Sequence, residues 1–308
     1  MKKLWRRIAS PVLTFIDLFK SAEMTLSSIA VAYYLLLSLF PLLLIVGNAL
    51  PYLHINANSV LAFLSAHVPE QIYDAISGVV KSLLTQPNTS LLSLSVIVGL
   101  WTFSRALSML QMAMNKAYGV YAHRDFIVSR ILGLLSGLVV LLILYFSVIL
   151  ATVGVQILKA MQRVVHMNLA LYDALNHIGL PAAALASILA LMFLYFILPN
   201  VRIKKIRYVL PGTLFSTFVL VFLTNLFAIY LTEALRGLHD FKIVGTIAIF
   251  ALMIWFIFIA RVLILGAVMN ATYQRRRTGK IETRRGEIVE IIQAVRERQE
   301  EKKKKNQA

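Results

Sequence analysis

Apolar positions in this chain gather into runs longer than a soluble core helix needs, and the polar stretches between them are mostly short and basic. The stretch from Ile243 to Asn270 runs for 28 residues with one charge, Arg261. A bilayer crossing takes about 20 predominantly apolar residues. Beyond it come Tyr273 and then Arg275, Arg276 and Arg277, an aromatic interface residue and a basic block that hold the end of a span in the cytoplasm. Comparable runs lie at about residues 26–50, 91–114, 131–158, 177–199 and 209–231. The pattern predicts an all-α, polytopic integral membrane protein, with six transmembrane helices over residues 1–275 and a charged cytoplasmic tail over residues 276–308.

Two further stretches carry a helical period without the length to span. Near the N-terminus, Trp5, Ile8, Val12, Phe15, Ile16 and Phe19 recur at three- and four-residue spacing, with Lys2, Lys3, Arg6 and Arg7 among them. This suits an amphipathic helix lying in the cytoplasmic interface. Polar residues interrupt it too often for a cleavable signal peptide. Between the first two runs, Ile72, Ile76, Val79, Val80 and Leu83 follow Pro69 at helical spacing, which predicts short helices on the external face. Within the first run, Pro41 withdraws the amide that would serve the Leu37 carbonyl, so this span is expected to kink or hinge there.

Composition sharpens the picture. The chain is 59% hydrophobic and 15% charged, against a usual charged share of about 25%, and its mean hydropathy is +0.77. It has no cysteine, which removes disulfides, thiolate nucleophiles and cysteine metal sites. The net charge of +17 is unevenly placed: with both termini inside, 24 Lys and Arg fall on the cytoplasmic side and 5 outside. That asymmetry is the positive-inside signature of a multi-pass plasma-membrane protein drawn to anionic headgroups. Nucleic acid is not an expected partner.

Within the runs there is no Asp or Glu, and His177 stands only at the edge of the fourth. Two arginines remain. Arg105 lies about 16 Å of helix from Lys116, and Arg261 about 21 Å from Arg275. Both therefore sit near the middle of a hydrocarbon core about 30 Å thick. A buried cation needs a partner, and the candidates are Tyr33, Tyr34, Ser38, Asn115, Asn225, water or a ligand anion. One arrangement is an inward-facing cavity where Arg105 and Arg261 grip a phosphate or carboxylate, gated near Pro41. The other has the arginines snorkelling to the headgroups, the tyrosines packing and the asparagines pinning helices together.

Enzyme chemistry finds little footing. None of the six histidines stands in an HxH or HExxH spacing, no glycine-rich phosphate loop is present, and no GxSxG occurs. The expectation is a protein with no catalytic residues, no metal site and no cofactor.

AYYLLLSLFPLLL (Ala32 to Leu44), WTFSRALSMLQMAMNKAY (Trp101 to Tyr118) with Arg124, ILPN (Ile197 to Asn200), Pro211-Gly212 and the series from Val244 to Ala271 resemble the YihY/BrkB family of bacterial inner-membrane proteins. The likeness covers roughly residues 15 to 275, in the same order. It implies a polytopic inner-membrane protein. Members have been labelled ribonuclease BN, a misassignment, and virulence or serum-resistance factors. Where members commonly read GAELN, this chain has Gly266, Ala267, Val268, Met269 and Asn270, so the glutamate is replaced by Val268. The expected function is a transporter, exporter or lipid translocator for an anionic small molecule or headgroup. The rival is a non-transporting scaffold whose basic tail recruits lipids or proteins.

Overall fold

Among the described residues, the long apolar runs fold as helices. The structure, a computed structural model, describes residues 2–49, 57–68, 70–85, 88–120, 128–140, 142–143, 179–236 and 241–284. In chain order the helices are α1 (Lys2–Ser21), α2 (Met24–Ala49), α3 (Ala57–His67), α4 (Glu70–Thr85), α5 (Thr89–Ala117), α6 (Val128–Val140), α7 (Gly179–Ile197), α8 (Leu210–Leu235) and α9 (Phe241–Thr278). Four of them contain stretches long and apolar enough to cross a membrane: Met24–Ile45, Thr89–Ala117, Leu210–Leu235 and Ile243–Thr278. Two shorter apolar helices, Val128–Val140 and Leu185–Ile197, accompany them. Most of the third expected span, the outer segment after it and the tail beyond residue 284 lie outside the described residues. Large apolar side chains cover the surface, with Phe218 75% and Phe40 69% exposed. Patches of this kind suit a lipid environment rather than water.

Side chains and glycines set the helix ends. Asn88 precedes α5 and its side-chain oxygen accepts from the Leu91 amide at 3.0 Å, satisfying one of the orphan donors of the first turn. Gly119 ends the same helix at a φ of 69°. The Val120 amide donates to Asn115 and the Gly119 amide to Lys116, each at 2.9 Å. That pair of bonds, closed by a left-handed glycine, is the Schellman arrangement.

The chain divides into two compact units. One comprises the described residues of Met24–Leu110 and Phe218–Ile264. In it α4 packs against α2 and α3. Gly99 lets α5 lie close on α2: a Cβ there would stand 3.3 Å from the Pro41 Cβ and 3.1 Å from Ile45 Cδ1. Ser95, Gly99, Thr102 and Ala106 form a buried stripe of small side chains on α5. In lipid, apolar burial gives little preference for helix contact, so close approach of small residues carries the packing. Asn48 adds a polar tie, its side chain accepting from the Asn88 amide at 2.9 Å.

The other unit comprises the described residues of Met1–Glu23, Gln111–Thr217 and Leu265–Ala308. Its largest fully buried side chains include Tyr195, Met114, Leu198, Gln111 and Gln274. Among the described residues the sole β-type pairing is here, an antiparallel bridge between Val201 and Thr283. It is framed by the Arg202 amide donating to the Glu282 carbonyl at 2.8 Å and the Arg284 amide to the Asn200 carbonyl at 3.3 Å. Lys116 pairs with Glu23, whose φ of 45° turns the chain from α1 into α2.

Candidate functional site

Arg105 is half-buried on α5, and its guanidinium carbon lies 5.8 Å from the ring centroid of Trp101, one turn earlier. That is a cation–π contact. Trp101 is itself 48% exposed. Arg261 departs from the inward-facing expectation, because it is exposed. Ile254 and Phe258, exposed like it, precede it at helical spacing, so all three share one face of α9. Beside that face the Phe227 and Trp255 rings stack with centroids 4.7 Å apart, and Leu223, Tyr230, Ile254 and Phe258 complete a shallow groove of about 300 Å³.

The other expected partners have separate engagements. Tyr33 is exposed, Tyr34 is half-buried, and their rings meet edge to face at 5.2 Å. Ser38 is buried and its hydroxyl donates to the Leu35 carbonyl at 2.8 Å. The Asn225 side chain is exposed and donates to Val221 of its own helix at 3.1 Å. Asn115 is buried, its side-chain oxygen accepting from the Asn200 amide at 2.7 Å. Asn115 thus ties the chain after α7 to α5, whereas the Asn225 bond stays within its own helix and joins no two helices, and Pro41 is buried beneath Gly99.

A second polar cluster escaped the sequence. Tyr195 of α7 and Ser216 of α8 share a buried hydrogen bond of 2.7 Å. They close over Gly266 of α9, where a Cβ would stand 2.2 Å from the tyrosine oxygen and 2.4 Å from the serine oxygen. At Gly212 of α8 a Cβ would lie 2.0 Å from the Gly266 carbonyl oxygen. The Gly212 amide, an orphan donor in the first turn of α8, is taken up by the Asn270 side chain at 2.7 Å. Gln111 reaches across to the Leu198 carbonyl at 2.7 Å, and Gln274 to that of Arg202 at 3.2 Å. Tyr118 stands next to this group with its hydroxyl buried; burial pushes its phenol upward, and Tyr195 adds to the shift. Tightly packed, the arrangement locks α7, α8 and α9 together. Only Pro211-Gly212 and the Asn270 amide could have hinted at it, since the crossing point is a tertiary fact.

The family described as virulence factor BrkB matches residues 15–287. The chain belongs to the BrkB family. It is 26% identical over 258 residues to a Bacillus subtilis (strain 168) protein named ribonuclease-like, YfkH, covering 84% of this chain and 90% of that one. No solved structure matches it. Several stretches that carry the BrkB likeness, ILPN, Pro211-Gly212 and Gly266 to Asn270, meet in the locked cluster. Val268, in the last of these stretches, is fully buried.

Proposed function

We propose that this BrkB-family chain is a non-catalytic translocator of anionic lipid, with six spans in the bacterial plasma membrane and both termini in the cytoplasm. One observation carries the reading. Arg261 is exposed among exposed Ile254 and Phe258, near the middle of an apolar helix. An arginine facing hydrocarbon at that depth costs about 2.5–3.5 kcal/mol unless water or an anion meets it. A phosphate passing along α9 would be met by this cation, with its chains against the groove walled by Phe227, Trp255 and Phe258. Arg105, held over Trp101, offers a second guanidinium in the same unit. The substrate path is then the lipid-facing surface of the unit rather than a central cavity. In this reading movement is facilitated and downhill, or a partner supplies the energy.

The test is lipid scrambling in vesicles of phosphatidylethanolamine and phosphatidylglycerol with a trace of headgroup-labelled phosphatidylglycerol. Protein-loaded vesicles should expose the inner-leaflet label to a membrane-impermeant quencher. Arg261→Leu should slow this by about tenfold, a fraction of the full mid-bilayer cost. Protection equal to that of empty vesicles overturns the reading and leaves the scaffold role.

A further inference from the structure

A groove of about 470 Å³ opens in the unit that does not contain Arg261. Pro11, Val12 and Phe15 of α1 form one wall and Pro211 and Phe215 of α8 another. Its floor runs along α9 from Leu265 through Met269 to Tyr273 and Arg276. Leu265 to Arg276 is 11 residues, about 16 Å of helix. The groove is thus long, apolar at one end and cationic at the other. Its volume falls within the usual range for small-molecule sites, about 300–1,000 Å³.

Among the described residues no carboxylate pairs with Arg276. Its neighbour Arg277 is turned onto the Tyr273 ring, with 5.6 Å from guanidinium carbon to centroid. Arg276 is therefore the arginine of this turn that lines the groove. A diacyl phospholipid has the same order of chemistry, chain then phosphate, over a comparable length.

We propose that this groove is a binding site for one anionic phospholipid, an acyl chain lying between α1, α8 and α9 and its phosphate on Arg276. The site goes beyond the translocation reading: it holds a resident lipid and requires no movement of lipid between leaflets. α1 is thereby joined to the helices through lipid as well as through protein.

Native mass spectrometry of the full-length protein in detergent tests it, with phosphatidylglycerol and phosphatidylcholine of identical chains as probes. The wild type should favour phosphatidylglycerol by about fivefold, the weight of one cation near an anionic lipid. Arg276→Gln should erase that preference, Arg276→Lys restore most of it, and Arg275→Gln leave it in place. Leu265→Trp, which fills the apolar end, should lower binding of both lipids while the protein elutes as a single species. Equal affinity for the two lipids in the wild type overturns the proposal. So does equal loss from Arg275→Gln and Arg276→Gln, which would mean a diffuse basic rim with no site. Should the tryptophan variant fail to fold, the two glutamine variants still decide the matter, and neither outcome depends on flux.

Discussion

At single residues, the tightest constraint falls where two glycines face each other. A methyl group on Gly212 would lie 2.0 Å from the Gly266 carbonyl oxygen, a backbone atom that moves only if α8 and α9 separate. Gly212→Ala should therefore lower the melting temperature in detergent, at the upper end of the 1–3 kcal/mol typical of overpacking, about 3 kcal/mol. Gly78 has nothing within 4 Å of the same methyl position and lies inside α4. Gly78→Ala should be neutral or stabilising by up to about 1 kcal/mol through helix propensity. Asn270 invites a matching comparison. Asn270→Ala strands the buried Gly212 amide at a cost of about 1–3 kcal/mol, whereas Asn225→Ala removes an exposed bond within one helix and should stay within about 0.5 kcal/mol. The sequence pattern singled out Asn225 as an amide within an apolar run and took Asn270 only as the end of one. What separates them is which one meets a neighbouring helix, and hydropathy carries no information about that.

For whole elements, the apolar pattern located the described helices and ended three of them early, α5, α8 and α9. The run expected at about 91–114 is the helix Thr89–Ala117, and the run at 243–270 lies within Phe241–Thr278. Hydropathy reports the solvent that a segment prefers, while a helix ends where its hydrogen bonds end. Arg275 to Arg277 are good helix formers, so α9 continues past its apolar stretch into the basic block. At the end of α5 the backbone itself decides. Gly119 sits at a φ of 69°, where an L side chain costs roughly 1–2 kcal/mol. Gly119→Ala should destabilise by about that amount and speed hydrogen exchange at the Gly119 and Val120 amides, which the Schellman bonds protect. Exchange at the Leu91 amide, capped by Asn88 at the other end of α5, should not change.

Across the molecule, the place of a residue along its helix was legible and its rotation was not. Arg261 lies near the middle of α9, as its spacing from Arg275 implied, but α9 is apolar on every side there, so no polar face fixed which way the arginine points. A tie between distant parts of the chain was invisible for a similar reason: nothing in the basic loop after α7 announces that residues 200–202 pair with 282–284. That tie carries a titratable group. The hydrogen bond and charge of Lys204, and then Arg202, hold the Glu282 carboxyl below its ordinary range. Because the folded value is depressed, the contribution is fully present above the unfolded value of about 4.3 and lost as pH falls through the folded one. Amide exchange at Arg202 and Arg284 should thus be flat from neutral pH to about 5, once the intrinsic pH dependence is removed, and accelerate below about 4. Lys204→Met removes the larger partner, so it should raise exchange near pH 5 and shrink the acid step; a step of undiminished size would place the titrating group elsewhere.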